Sequence, residues 1–156
     1  MRRRTSPLLC ELHAHTTWSD GALSVRELVD LYGRAGFDVL AVTDHTCPPR
    51  AGAVGVGAAT WAAYAAELAA EAARAQSLYD LLVLPGLELT WNEEAADRSA
   101  HAVAIGLENF VGVADGLDEG LVRARAAGAA VIAAHPYAVG DPRSNWRGTE
   151  TWAADR

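Results

Sequence analysis

The chain contains no lysine: all 13 of its basic residues are arginines, set against 20 aspartates and glutamates, for a formal net charge of −7. So acidic a chain lacks the broad positive field that holds nucleic acid non-specifically, which excludes an extended nucleic-acid surface. A few loop arginines stay available to grip a single phosphate. The missing lysines and the abundant alanines read as genome-composition bias rather than as function. Cysteine is also scarce, and Cys10 and Cys47 form neither a CxxC pair nor a disulfide framework. No apolar run approaches the length of a membrane span. Residues 1–4 are basic, but no stretch of signal-peptide length follows them. A cytoplasmic protein with no membrane partner is the expectation, with the oligomeric state left open. What is present is globular: 51% of the 156 residues are apolar, enough for one domain with a real core.

Short apolar runs alternate with helical patterns along the chain. Residues 8–12 form a run that ends at His13. Ser24 followed by Glu27 reads as a capping box. Val25, Leu28, Val29 and Tyr32 then recur at helical spacing, with Leu31 and Ala35 widening the face and Gly36 stopping the helix. A buried-strand run over 39–42 leads into Thr43, Asp44 and His45. Pro48, Pro49 and the glycines from 52 to 57 mark a loop. A long Ala-rich helix is expected over about 60–79, with Trp61, Tyr64, Leu68, Ala72 and Ala75 on one face. Further strands are expected over 81–84, 101–105 and 130–134, and a helix over 118–127 that ends at Gly128. Pro85-Gly86 reads as a turn leading to Glu88. Repeated strands with helices between them predict a parallel sheet, open or closed into a barrel, with polar residues gathered beyond the carboxyl ends of the strands. His101 is the exception, since it opens its strand. After Pro136 the pattern fades, and 138–156 reads as loop or tail.

The five histidines are His13, His15, His45, His101 and His135. None falls on a helix, and four stand at the end of an expected strand or just after it. His13 and His15 are two residues apart, so in an extended segment both imidazoles point the same way. Asp20, in a Ser-Asp-Gly turn, can swing its carboxylate back towards them. Each feature has an ordinary explanation: an HxH arises by chance, Asp44 can be a turn former, Glu88 an ion-pair partner, His101 a core histidine. Their joint placement is what points to a metal centre. Imidazoles with carboxylates favour Zn, Mn or Fe over Ca or Mg, and more than four candidate ligands point to a cluster rather than a single structural zinc.

The stretch from Glu11 to Gly21, with its HxH and Ser-Asp-Gly, resembles the first motif of the PHP (polymerase and histidinol phosphatase) family. Thr43-Asp44-His45 resembles its second, Gly86-Leu87-Glu88 its Gly-x-Glu, His101 with Ile105-Gly106-Leu107 its later His, and His135-Pro136 its His-Pro. The resemblance covers residues 8–137. It implies an α/β fold, a distorted (β/α)7 TIM-like barrel with two or three divalent metals at its mouth. His13, His15 and Glu88 would then hold the first metal. Glu88 would bridge to a second, bound by His101 and His135, and Asp20 and His45 would serve a third. The family's late Asp-x-His motif has no equivalent here. The chain is therefore expected to be a single PHP domain over 1–156 that lacks the last one or two β/α units.

The function this implies is metal-assisted hydrolysis of a phosphoester, with a small phosphorylated substrate. Glu88 and Asp44 are the candidate catalytic residues, Asp44 either orienting the site through His45 or serving structure alone. Arg50, Arg143 and Arg147 are candidate substrate-phosphate contacts, and Cys47 is either a ligand or a sheltered thiol. Two alternatives stand beside this reading. One is hydrolysis of carboxyl or carbamate esters, since HxH after a first strand also opens amidohydrolase barrels. The other is a non-catalytic truncated PHP module that binds metal or a partner.

Overall fold

The computed structural model describes residues 7–48, 54–92 and 99–135. Among them the order of elements is β1 (Cys10–Ala14), α1 (Val25–Arg34), β2 (Val39–Val42), β3 (His45–Thr46), α2 (Trp61–Tyr79), β4 (Leu82–Trp91), β5 (Ala100–Ile105), α3 (Leu117–Ala126) and β6 (Ala130–Ala133). The strands form one curled sheet, part of a barrel, in the order β1-β2-β4-β5-β6, with β3 paired to β4 beyond the end of β2. Among the described residues no helix is long and apolar enough to cross a membrane.

Local chemistry accounts for the helices. Ser24 caps α1: its Oγ accepts from Glu27 N at 3.3 Å, and the Glu27 carboxylate accepts from Ser24 N at 2.9 Å, completing the capping box. Val25, Leu28 and Val29 are buried against the sheet. Leu31 does not widen that face: six residues beyond Val25 it has rotated off the stripe, and it is 54% exposed. On α2, Tyr64, Leu68 and Ala75 are buried as the periodicity predicts, but so is Glu71. Its carboxylate is held by Arg26 of α1 and by Arg74, which also reaches Asp30 at 2.7 Å, so the two helices are joined by an ion-pair network at their seam.

Two expectations about the sheet are corrected. Pro85-Gly86 is not a turn, because β4 runs through it for ten residues and carries Glu88 within the strand. Pro85 is tolerated because it is where β4 changes partners. Up to Pro85 the strand pairs with β2, and from Gly86 onward it pairs with β5 and β3. Tyr64 marks the same crossing, its hydroxyl lying 3.3 Å from the Val42 carbonyl and 3.2 Å from that of Gly86. The sheet is also not wholly parallel. β1, β2, β3 and β4 pair in parallel, but β5 runs antiparallel to both β4 and β6. That reversal accounts for His101. The amino end of β5 lies at the same edge of the sheet as the carboxyl ends of its neighbours, so a histidine that opens β5 arrives beside those that close the others.

The main core lies between the sheet and the helices, built from Leu40, Val42, Leu87 and Leu89 of the strands against Val25, Val29, Tyr64 and Leu68. The opposite, concave face holds a smaller cluster of Ala41, Val103, Ile105 and Ala134.

Candidate metal centre

Seven residues singled out from the sequence, His13, His15, Asp20, His45, Glu88, His101 and His135, line one cavity of about 540 Å³, together with Asn92. Each arrives by a local device. A bulge in β1 between Glu11 and Ala14 breaks the strict alternation just where the HxH begins. The loop that follows folds tightly, with Ser19 N and Gly21 N both donating to the Thr16 carbonyl. Gly21 is required there, since a Cβ would stand 2.3 Å from the His15 carbonyl oxygen. The turn returns Asp20 to the pair, with Oδ1 2.7 Å from His15 Nδ1.

Glu88 is the centre of the arrangement and is fully buried. Its Oε1 lies 2.8 Å from His101 Nδ1 and 3.1 Å from His135 Nε2. Its Oε2 has His13 Nε2 at 3.2 Å, His15 Nε2 at 3.0 Å and His45 Nδ1 at 3.0 Å. All five imidazoles of the chain therefore touch one carboxylate. Three groups of ligand atoms converge within 4.8 Å of one another: His13, His15 and Glu88; His15, Asp20 and His45; and His45, Glu88 and His101. The first grouping consists of the three residues that the resemblance assigns to the first metal. In the others His15 joins Asp20 and His45, and His45 reaches Glu88, so the sites share ligands more closely than a residue-by-residue transfer implies.

These residues fit divalent cations. Although three imidazole nitrogens stand close to Glu88 Oε2, none does so with hydrogen-bond geometry, and that buried oxygen has no partner among the described residues. The Nε2 atoms of His13 and His15 face each other at 3.0 Å. At metal–imidazole distances of about 2.0–2.1 Å, neighbouring ligands on one ion stand roughly 3 Å apart. A cation between these atoms supplies what they lack.

The electrostatics of the metal-free cluster follow from burial opposed by pairing. Burial alone would push Glu88 up, but the imidazoles of His101, His13, His15 and His45 hold it well below the usual carboxylate range. His15 is lowered by burial, but its contacts with Glu88 and Asp20 outweigh this and raise it to about 9. Asp20 is likewise raised by burial yet ends below its ordinary value, through His15 and His45. Burial wins at His45 and His135, which are both pushed down.

Asp44 does not line the cavity. It is fully buried, and its carboxylate accepts from Thr16 N at 2.8 Å, Thr16 Oγ1 at 2.8 Å and Ser19 Oγ at 2.7 Å. With both oxygens engaged by the loop that carries Asp20, it anchors that loop. Cys47 lines a separate, mostly apolar cavity of about 340 Å³ with Val56, Phe110 and Val113, among others, away from the imidazoles. Arg50, Arg143 and Arg147 lie outside the described residues. The sequence reading missed Asn92 and Thr90. Thr90 follows Glu88 at even spacing along β4, which is the signal that places it on the same face, and Asn92 lies one residue past the end of that strand. Asn92 Oδ1 is 3.0 Å from His101 Nε2, and Thr90 Oγ1 is 2.6 Å from His45 Nδ1.

A carboxylate ringed by imidazoles at one edge of a curled α/β sheet defines a metal-binding domain. The PHP domain model matches residues 11–124, and the chain belongs to that family. Over 36 residues it is 47% identical to the DNA polymerase/3'-5' exonuclease PolX of Bacillus subtilis (strain 168), a match covering 23% of this chain and 6% of that protein. Its fold resembles that of a two-domain protein from Bacteroides vulgatus ATCC 8482 containing a predicted PHP-like metal-dependent phosphoesterase. That match has a TM-score of 0.62 and 21% identity, and covers 97% of this chain and 45% of that one. A protein from Bifidobacterium adolescentis ATCC 15703, assigned as a metal-dependent phosphoesterase, is 28% identical over 64% of this chain and 28% of its own, with a TM-score of 0.42. The chain thus spans less than half the length of each of these proteins.

Proposed function

We propose that the chain is a metal-dependent phosphoesterase acting on a small phosphorylated substrate with two or three divalent ions, Zn, Mn or Fe. The observation that carries this is Glu88, a buried carboxylate touched by five imidazoles, with one oxygen that no donor among the described residues satisfies. His13, His15 and Glu88 would hold one ion, and His45, Asp20, His101 and His135 the others. Divalent ions there would supply Lewis acidity and lower the pKa of water towards neutrality. The chain's own contribution is to fix the ligands on strand ends and to leave a cavity large enough for a phosphoryl group and part of its ester. Asp20, whose side chain is 65% exposed, stands at the rim where substrate would enter. Arg50, Arg143 and Arg147 are proposed to meet the phosphate. The strand order fits part of a distorted (β/α)7 barrel.

The test is elemental analysis of the purified chain alongside turnover of a generic aryl phosphate. Two or more ions per chain with EDTA-sensitive turnover is the expected result, and His13→Ala or Glu88→Ala should lose both. A variant that keeps wild-type turnover would sink the assignment. A second reading is a non-catalytic module that binds metal. It predicts bound metal without turnover of phosphate, carboxyl or carbamate esters.

A further inference from the structure

We infer that Thr90 is a positioning residue of the metal centre, fixing the ring of His45 so that its Nε2 is the nitrogen offered to a cation. The inference rests on the metal-centre reading above and adds to it a residue that touches no ion.

Glu88 and Thr90 occupy alternate positions of β4 and so share one face of the strand. Thr90 is 2% exposed, and its hydroxyl lies 3.1 Å from the Glu88 carbonyl and 2.6 Å from His45 Nδ1. A hydroxyl has one proton to give. Donated to the carbonyl, which can only accept, it leaves a lone pair on Oγ1 for His45, so Nδ1 must carry the hydrogen. The other neighbour of Nδ1, Glu88 Oε2 at 3.0 Å, is placed without hydrogen-bond geometry. Thr90 therefore assigns the tautomer, and the bare lone pair lies on Nε2, whose carboxylate neighbour, Asp20 Oδ2, is 3.5 Å away. Glu88 Oε2 is the oxygen a cation would claim, which leaves Thr90 as the acceptor that holds His45 when the site is filled. β3 brings His45 there by pairing in register with Glu88, so the same short strand pairing delivers the ring and its orienting hydroxyl.

Two measurements test this on the full chain. Long-range ¹⁵N–¹H correlation spectra, recorded with and without zinc, should show His45 protonated at Nδ1 in both states, with Nε2 bare or metal-bound. An Nε2–H tautomer in either state overturns the inference without any variant. Calorimetric titration with Zn²⁺ should show Thr90→Val weakened about 10–100-fold at one class of site, the range for loss of a group orienting a metal-ligating histidine. Thr90→Ser, which keeps the hydroxyl, should bind as wild type does. A Thr90→Val isotherm indistinguishable from wild type, or a Thr90→Ser isotherm as weak as that of Thr90→Val, refutes the assignment. Both readouts are independent of turnover, so an inactive chain would count against the phosphoesterase reading and leave this one standing.

Discussion

Stripping the metals should expose a stability that falls as pH rises. In the metal-free protein His15 is raised from 6.5 to about 9 by Glu88 and Asp20, against the effect of its burial. A group whose folded-state pKa is raised contributes stability that is fully present below its unfolded pKa and is lost as pH climbs through the folded one. At about 1.4 kcal/mol per pKa unit the rise corresponds to about 3 kcal/mol, most of it lost between roughly pH 7 and 9.5. His45 and His135 have lowered values, so their effect has the opposite sign. They destabilise the fold below about pH 6.5 and are silent in the window chosen. The assay is urea unfolding in EDTA across that window, where a urea dependence of roughly 1–3 kcal/mol per molar turns the loss into a fall in midpoint of about 1–3 M. Glu88→Gln should flatten most of the slope, because Glu88 is the largest favourable influence on His15. The metal-saturated protein should trend the other way, since cations compete with protons for imidazoles and bind better as pH rises. A wild-type apoprotein with no slope, or a Glu88→Gln protein with an undiminished one, would refute the account of how the cluster is held.

Asp44→Asn keeps the shape of a fully buried side chain but presents an amide to donors that now face a carboxylate. It should cost about 2–3 kcal/mol, measured by denaturant unfolding, and should reduce bound metal only through loosening of the loop that carries Asp20. Gly21→Ala must move that loop, since the added methyl would stand 2.3 Å from the His15 carbonyl oxygen. A loss of about 1–3 kcal/mol together with weakened binding of the ion nearest Asp20 is expected, read by the same unfolding assay and by titration with Mn²⁺.

Much of the fold is visible in local sequence because local chemistry causes it. The capping box at Ser24 and Glu27, the stripe of Val25, Leu28 and Val29, and the ends of α1 and α3 are each decided by residues within one turn. The histidines were legible as a group for a related reason, since strand ends can be located from short apolar runs. What could not be read is what depends on partners distant in sequence. Nothing within residues 100–105 records that β5 runs against its neighbours, so His101 looked misplaced until the direction of its strand was known. Pro85-Gly86 has the composition of a turn, and only the exchange of partners from β2 to β5 and β3 allows it to remain strand. Asp44 adjoins His45 in sequence yet serves a loop 28 residues earlier. Nothing within α2 alone marks Glu71 as buried, because Arg26, one of the two arginines that hold it, belongs to α1.

The middle of β4 has a consequence for assembly. Leu87 and Leu89 pack into the main core while Glu88 and Thr90, interleaved with them, face the imidazoles. A slip of one residue against either neighbouring strand would exchange the two sets, placing a carboxylate among Val25, Val29 and Tyr64 and two leucines among the histidines. The apolar core therefore acts as a proofreader for the metal centre. A register that buries the leucines also turns Glu88 and Thr90 towards the imidazoles.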